Sequence, residues 1–346
     1  MTGKAVVVGA GVAGLATAIG LRRAGWAVSV LERRTEPERY GTAFGIHPTA
    51  QGALERLGVG KAFQAQAVPY RNARIRTPRG KTLASLPLER IERKAGRPEL
   101  LISRPYLIDT LLAELAGLGA PIRFGERLSD VRALTGAVDL VVGADGIHSA
   151  VRTACFGDRS GPRPIGTVAW IGIADFESGL YGETWGKGRF FGMTPVETGR
   201  TNWYATVPEA TTAEELRGYF ESWHDPIPRI LDQTDRATWI RYEMRHLFPA
   251  LPSFVHGGNI ALVGDAAHAM TPNLGQGACT AILDAEALTR AVAENTSAGL
   301  PSALRAYDAE RRRTAQRVAL GSRSLHRFMT TEHTRLRDAL IRVLPS

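Results

Sequence analysis

Two short apolar runs near the start of the chain enclose a segment with helical spacing. Residues 5–8 are Ala-Val-Val-Val, residues 15–24 carry apolar side chains at helical spacing, and residues 28–31 form a second apolar run. Runs of about four residues bounded by glycine are typical of buried parallel strands and are too short for helices. The pattern therefore predicts that the chain opens with a strand–helix–strand unit.

Patterns typical of buried strands and of helices recur later in the chain, on both sides of a part with short alternating runs. Further segments with the pattern of buried strands or of helices lie at 107–118, 139–143, 260–263, 278–293 and 301–344. Between residues 68 and 100, arginine, threonine, proline and glycine interrupt any helical period, which favours hairpins. Residues 162–255 consist of short alternating runs rich in Trp, Phe, Tyr and Thr, which predicts that strands dominate there.

These patterns predict an α/β protein with two domains. Residues 1–67, 100–160 and 256–346 are expected to form a discontinuous, Rossmann-like dinucleotide-binding domain with a helical C-terminal segment. Residues 68–99 and 161–255 are expected to form an inserted β-rich domain. The length of 346 residues agrees with this division, since a domain takes roughly 150 residues.

Composition and charge exclude several classes of protein. Hydrophobic residues make up 44% and charged residues 22%, as in ordinary globular chains. The net charge of +9 comes almost wholly from arginine, but Arg311–Arg313 is the one dense basic block and no nucleic-acid-binding motif occurs, so no nucleic-acid partner is predicted. Cys155 and Cys279 cannot form a disulfide framework or a multi-cysteine metal site, and no metal is expected. The lack of a disulfide framework fits a reducing cytosol, so a cytoplasmic protein is expected. With no apolar run of ~18 residues, no membrane partner is expected.

The loop after the first predicted strand carries the first candidate chemistry. In Gly9-x-Gly11-x-x-Gly14, the glycines permit a tight turn, close backbone approach to a pyrophosphate, and tight packing of helix on strand. Glu32 ends the second strand, where a carboxylate accepts ribose hydroxyls and disfavours a 2′-phosphate, so FAD or NAD is expected rather than NADP. The candidate nucleotide contacts here are Gly9, Gly11, Val12, Ala13, Gly14, Glu32 and Arg33.

Two further motifs give the chain a family resemblance. The segment Asp145-Gly146-Ile147-His148-Ser149-Ala150-Val151-Arg152 resembles the Asp-Gly-x-x-Ser-x-x-Arg signature of the single-component FAD-dependent aromatic hydroxylases, flavoprotein monooxygenases similar to para-hydroxybenzoate and salicylate hydroxylase. The segment from Gly264-Asp265 through Pro272 and Gly275-Gln276-Gly277 resembles the second flavin motif of that family. The three motifs occur in the family order, and the resemblance covers essentially the whole chain.

The resemblance implies a cofactor, a reaction and a set of contacts. It implies noncovalent FAD, transient docking of NAD(P)H, and hydroxylation of a small aromatic, phenolic substrate by O2 through a flavin C4a-hydroperoxide, in a monomer or homodimer. Besides the first loop, the flavin contacts it implies are Arg104, Asp145, Arg152, Gly264, Asp265, Pro272, Gly275, Gln276, Gly277 and Ala278. The alternatives are an epoxidase or decarboxylating hydroxylase on the same fold, or a flavin-binding redox sensor without turnover.

The β-rich domain is expected to supply the substrate pocket. Phe191 and Met193 share one face of a predicted strand, and together with Trp203 they are the candidate pocket residues. His47 lies in the stretch that resembles the flavin-side loop of the family and is a further candidate. His268 and Cys279 are interpreted as structural residues, because neither has a second catalytic or metal-binding partner in the sequence. No catalytic base is predicted.

Overall fold

Three β-sheets organise the part of the chain that the computed structural model describes, residues 3–38, 43–128, 130–294 and 299–343. In chain order, the strands are β1 (Lys4–Val8), β2 (Ala27–Glu32), β3 (Ala43–Ile46), β4 (Val68–Pro69), β5 (Arg74–Arg76), β6 (Thr82–Ser85), β7 (Leu100–Ser103), β8 (Ile122–Phe124), β9 (Leu140–Gly143), β10 (Pro162–Ala174), β11 (Gly182–Trp185), β12 (Phe190–Glu197), β13 (Arg200–Pro208), β14 (Ile240–Leu247), β15 (Val255–His256) and β16 (Ile260–Leu262). The helices are α1 (Val12–Arg23), α2 (Pro48–Arg56), α3 (Gly60–Gln64), α4 (Leu88–Ala95), α5 (Arg104–Gly117), α6 (Val131–Thr135), α7 (Ala150–Phe156), α8 (Ala213–Phe220), α9 (Ile227–Gln233), α10 (Asp265–His268), α11 (Gly277–Glu294), α12 (Leu300–Met329) and α13 (Thr334–Val343).

The first sheet positions the ends of the three sequence motifs. Its strand order is β15-β16-β9-β1-β2-β8, and all neighbours except β15 and β16 run parallel. The valines of β1 and the apolar residues of β9 are almost fully buried, which explains why these runs lack polar alternation. Since β1, β9 and β16 are parallel neighbours, the loops that follow them meet at one edge of the sheet.

The second sheet confirms the β-rich part of the predicted α/β fold. Its order is β14-β10-β13-β12-β11-β5-β6, so β5 and β6 join strands from a distant part of the chain. A small third sheet, β3-β7-β4, lies beside it. The division into domains at residues 67, 99, 160 and 255 stays a prediction.

Three helices lie in regions where strands or hairpins are expected. Helix α4 interrupts the predicted hairpins and ends at Gly96, which adopts φ +71°. Helices α8 and α9 lie within the predicted strand-rich stretch. Helix α8 begins with a capping box, because Thr212 accepts a hydrogen bond from the Glu215 amide and the Glu215 carboxylate accepts one from the Thr212 amide. This local signal outweighs the apolar alternation on either side.

The C-terminal segment is helical, as predicted. Helix α12 packs along α11, and α13 contacts β6 of the second sheet. The last residue of the predicted tail, Leu344, lies outside the described residues. Over the described ranges, no helix combines the length and apolar character needed to span a bilayer.

Candidate functional site

The glycines of the first loop are required for different reasons. Gly9 adopts φ +108°, and a Cβ there would collide with the Ala144 carbonyl oxygen. A Cβ on Gly14 would collide with the Gly9 carbonyl oxygen, so this glycine lets α1 approach β1. A Cβ on Gly11 would have no described atom within 4 Å, and Gly11 caps α1 without a side-chain hydrogen bond. The first-turn amides of α1, at Val12 and beyond, are thus left for an anion.

Glu32 is oriented by two backbone amides at the end of β2. Its carboxylate accepts hydrogen bonds from Ala10 N at 2.8 Å and Arg34 N at 2.9 Å. The adjoining recess is lined by Ala10, Glu32, Arg34, Pro37, Glu38, Leu112 and Phe124. The carboxylate therefore lies beside the glycine loop, where a nucleotide ribose is expected.

Arg104 pairs with an acid that lines the recess beside Glu32. Arg104 begins α5, donates to Glu38 Oε2 at 2.7 Å, and has its guanidinium 5.4 Å from the centre of the Phe44 ring. Its Nε is buried and has no hydrogen-bond partner among the described residues. Arg33 is exposed. Buried donors normally have a hydrogen-bond acceptor, so the unpaired Nε indicates that a ligand would accept a hydrogen bond from Arg104.

The segment Asp145–Arg152 forms a tightly bonded turn. The Asp145 carboxylate accepts from Ala150 N at 2.7 Å and Val151 N at 3.1 Å and so caps α7. Arg152 is 1% exposed, and its guanidinium donates to Ile147 O at 2.7 Å and Ala266 O at 3.2 Å. Burial lowers the pKa of Arg152, against the opposing effect of Asp145 and Asp265. Arg152 therefore ties the first Asp-Gly turn to the second flavin motif.

Replacing Arg152 with alanine is expected to lower the free energy of unfolding by about 2 kcal/mol, because two buried carbonyls lose their donor. FAD affinity should fall as well, since both turns face the cofactor edge of the sheet. Chemical denaturation and fluorescence titration with FAD measure the two effects. Arg159→Ala, an exposed change close by, is the control, and equal stability of the two variants would contradict the role given to Arg152.

The second flavin motif begins where β16 ends. Gly264 adopts φ +60°, and a Cβ there would lie 2.8 Å from Ala13 Cβ, so the turn packs closely against α1. Asp265 is exposed at this turn. Desolvation raises the pKa of Asp265, while His268, Arg104 and Arg152 act in the opposite direction. The motif thus presents an accessible carboxylate within electrostatic range of Arg104, and the space beside these two side chains is the cleft of the site.

A buried cluster of Asp284, His268 and Arg311 is hydrogen-bonded to the start of this turn. Asp284 of α11 accepts hydrogen bonds from His268 Nε2, from Gly264 N at 3.0 Å and from Arg311 Nε at 2.9 Å. Burial alone would raise the pKa of Asp284, but the interactions with His268 and Arg311 outweigh it and hold the pKa below its usual value. His268 is 2% exposed. This placement agrees with its interpretation as a structural residue.

The start of α11 opens toward the cleft. A Cβ on Gly275, which has φ +63°, or on Gly277 would have no described atom within 4 Å. Pro272 is exposed, and Gln276 and Ala278 are half-buried. Free space beside the first turn of an 18-residue helix suits a ring with partial negative charge, because the amides and the positive end of the dipole point there.

His47 and Cys279 join the flavin-side loop to α11. Cys279 Sγ lies 3.3 Å from His47 N, from which it accepts, and 3.2 Å from Gly45 O, to which it donates. Burial raises the pKa of the Cys279 thiol to about 12, so the thiol stays protonated at neutral pH. His47 caps α2 by accepting from Thr49 N at 3.4 Å. Both residues therefore have structural contacts at this loop.

Phe191, Met193 and Trp203 lie on the face of the second sheet that helices α8 and α9 cover. Each is 0% exposed. The Phe191 ring stacks on Trp203 with centres 5.7 Å apart and meets Phe220 of α8 edge-on at 5.4 Å. These side chains form a core and leave no accessible surface for a substrate. The placement departs from the expected pocket because the helices that cover this face were not predicted.

The opposite face of the sheet holds polar residues that the sequence interpretation missed. Glu183 and Tyr204 lie there, as does Tyr242, whose pKa is raised to about 12 by desolvation and by Asp265. The Asp265 effect shows that this face turns toward the second flavin motif. Strict alternation around Trp203 places Tyr204 on this face, so the signal was present in the sequence.

The described residues fit an extended dinucleotide across the three loops. Open space borders Gly11, Gly275 and Gly277, while the Nε of Arg104 lacks a partner within the described ranges. Together with the parallel sheet, these features define a flavin-type dinucleotide-binding protein.

A family model described as FAD binding domain matches residues 2–322. The chain therefore belongs to the FAD binding domain family, which confirms the family resemblance.

Relatives extend over nearly the whole chain. Aurachin C monooxygenase/isomerase of Stigmatella aurantiaca is 35% identical over 375 residues, covering 100% of this chain and 95% of that protein. FAD-dependent urate hydroxylase of Klebsiella pneumoniae is 29% identical, covering 89% of this chain and 85% of that protein. The crystal structure of Klebsiella pneumoniae HpxO complexed with FAD and uric acid superposes with a TM-score of 0.86 at 26% identity, covering 98% of this chain and 91% of that one.

Proposed function

We propose that the chain is an FAD-dependent monooxygenase that uses NAD(P)H and O2 to hydroxylate a small aromatic substrate. The observation that carries the proposal is the meeting of three loops, after β1, β9 and β16, at one edge of a parallel sheet, where Leu247 N of β14 in the second sheet donates to Ala269 O of the third loop at 2.9 Å. The names of the relatives support oxygenation of an aromatic or heterocyclic ring. The reductant and the route of oxygen transfer are those expected from the family resemblance.

The residues of the chain would divide the binding of FAD among them. The α1 amides behind Gly11 would hold the pyrophosphate and Glu32 the adenosine ribose. Arg104 and Asp265 face the cleft between these loops and would contact the ribityl chain and phosphates. The start of α11 at Gly277 would aim amides at the ring system. Bound FAD supplies electron transfer and oxygen activation.

The second sheet would position the substrate and keep water out. Water exclusion matters because the activated oxygen species decays without transfer when the site is wet. The face with Glu183, Tyr204 and Tyr242 turns toward the second flavin motif and is the side that we assign to the substrate. This assignment replaces the Phe191 face expected from the sequence.

Purified protein should be yellow, and acid precipitation should release intact FAD. A panel of phenols and hydroxylated heterocycles should then contain compounds that stimulate NAD(P)H oxidation and acquire one atom of oxygen from ¹⁸O₂. A protein that stays colourless after addition of FAD would disprove the proposal. If compounds stimulate NAD(P)H oxidation but acquire no oxygen, the protein is an FAD-dependent oxidase and not a monooxygenase.

An epoxidase is a second candidate, supported by relatives of that name. Zeaxanthin epoxidase of Oryza sativa is 28% identical over 89% of this chain, although the chain covers only 52% of that protein. Incorporation of ¹⁸O into an alkene rather than an aromatic ring would favour it.

A further inference from the structure

A carboxylate and a phenol meet on the face of the second sheet that turns toward the cofactor loops. In the strand register, Glu183 of β11, Gly192 of β12 and Tyr204 of β13 lie side by side. A Cβ on Gly192 would collide with the Tyr204 ring, so this glycine lets the ring cross β12. The Tyr204 hydroxyl donates to Glu183 Oε1 at 2.7 Å, and Trp185 Nε1 donates to Oε2 at 2.7 Å. Glu183 is thus held in one orientation.

The polar atoms of this face offer acceptors rather than donors. The Tyr204 proton is committed to Glu183, so the phenolic oxygen presents lone pairs, and the carboxylate keeps further lone pairs of its own. Asn202 precedes Tyr204 by two residues and shares its face. It is 3% exposed, donates from Nδ2 to Thr194 at 2.9 Å, and leaves Oδ1 without a partner among the described residues. Buried acceptors normally have a hydrogen-bond donor, so we expect a ligand to donate to Asn202 Oδ1.

Contacts connect the second sheet to the second flavin motif. Asn273, within that motif, donates to Met329 Sδ at 3.3 Å, and Met329 packs in the cluster that contains Trp185 and Tyr204. At the β14 edge of the sheet, Leu247 N donates to Ala269 O of the same motif at 2.9 Å. The sheet therefore lies beside the loop that leads into α11, where the flavin ring is expected.

Glu183 and Tyr204 are both half-buried on this face. Desolvation raises the pKa of Glu183 despite its two hydrogen bonds, and desolvation followed by the charge of Glu183 raises that of Tyr204. The two groups are therefore poorly solvated although part of their surface is accessible.

Two arginines lie near this part of the sheet and donate to backbone carbonyls. Arg76 donates to Tyr181 O at 2.9 Å. Arg337 donates to Trp185 O at 3.0 Å, to Gly186 O at 2.8 Å and to the Asp338 carboxylate. A substrate carboxylate on this face would meet the acid Glu183 in a poorly solvated environment, which is unfavourable.

We propose that Glu183, Tyr204 and Asn202 determine substrate specificity, selecting a neutral aromatic ring that carries an N–H or O–H donor and rejecting aromatic carboxylates. This inference rests on the proposed function, because it takes this face of the second sheet as the substrate side of the monooxygenase. It adds to that function the chemical class of substrate that the site accepts.

The test compares 2-naphthol with 2-naphthoate, which share a ring system and differ in the donor and the charge. Binding to the FAD-loaded protein is measured by calorimetry, which requires no turnover. Wild type should bind 2-naphthol at least tenfold more tightly than 2-naphthoate. Glu183→Gln, which keeps the size but removes the charge, and Tyr204→Phe should each reduce that ratio roughly tenfold. Glu177→Gln, an exposed change of the same type in the same domain, should leave the ratio unchanged.

Other outcomes would overturn the inference. A preference of wild type for 2-naphthoate, failure to bind either compound, or an unchanged ratio in both well-folded variants would do so. Each variant is checked by thermal melting, and Tyr204→Phe serves if Glu183→Gln does not fold. Failure of the proposed function is seen separately, as absence of FAD or of ¹⁸O transfer to any substrate, whatever the binding ratio.

Discussion

Replacing Gly11 with alanine should weaken FAD binding by roughly tenfold to a hundredfold and leave the fold intact. The added Cβ meets no described protein atom within 4 Å, and Gly11 has φ −79° and ψ −177°, which any residue adopts. The space it would fill is the space that the pyrophosphate needs when it approaches the loop. Isothermal titration of cofactor-free protein with FAD measures the loss.

The matched control is Gly117→Ala at the end of α5. A Cβ there also meets no described atom within 4 Å, but Gly117 lies outside the three cofactor loops. FAD affinity should be unchanged and stability equal or slightly higher, because alanine restricts the unfolded chain. If Gly11→Ala binds FAD as tightly as Gly117→Ala does, the pyrophosphate is not bound at this loop.

The strand–turn–helix units that carry the motifs could be predicted because their determinants are local. Gly9, Gly11 and Gly14 act through a single strand–turn–helix unit, and their spacing is visible in the sequence. The same holds for Asp145, whose hydrogen bonds all reach residues up to six positions away. The α/β fold followed from apolar runs whose length and periodicity are equally local.

The covered side of the second sheet could not be predicted in the same way. Alternation shows that Phe191 and Met193 share a side, but not which side other elements cover. That depends on α8 and α9, which bring Phe220 against Phe191, and on the capping box at Thr212 that begins α8. Without these helices the Phe191 side is expected to stay open to a substrate, and with them it is part of a core.

Long-range contacts account for the features of the site that sequence patterns do not predict. Arg152 is expected as a flavin contact, and its hydrogen bond to Ala266 O joins residues 114 positions apart. No spacing rule reveals such a pair. Glu183 and Tyr204, 21 positions apart, meet only because Gly192 on the intervening strand has no side chain. Sequence patterns locate the motifs, and tertiary packing decides which side chains remain available to ligands.

Replacing Asp284 with asparagine should lower the free energy of unfolding by about 3–5 kcal/mol at pH 7. The change leaves the Arg311 guanidinium buried beside His268 without a charged partner. It also weakens the acceptor of the Gly264 amide, so the turn before Asp265 loosens and FAD affinity falls. Urea denaturation of the cofactor-free proteins gives the stability difference without any contribution from FAD binding.

The pH dependence of the free energy of unfolding distinguishes the loss of the Asp284 charge from a general packing defect. Because the pKa of Asp284 in the folded chain lies below its unfolded value of about 3.9, the stabilisation is fully present above that pH. It is lost as the pH falls through the folded pKa. The difference between wild type and Asp284→Asn should therefore be constant near neutrality and shrink in acid. The control is Asp232→Asn in the exposed pair with Arg217, which should cost less than about 1 kcal/mol. A stability difference for Asp284→Asn that stays the same down to strongly acid pH would show that shape, and not charge, makes Asp284 important.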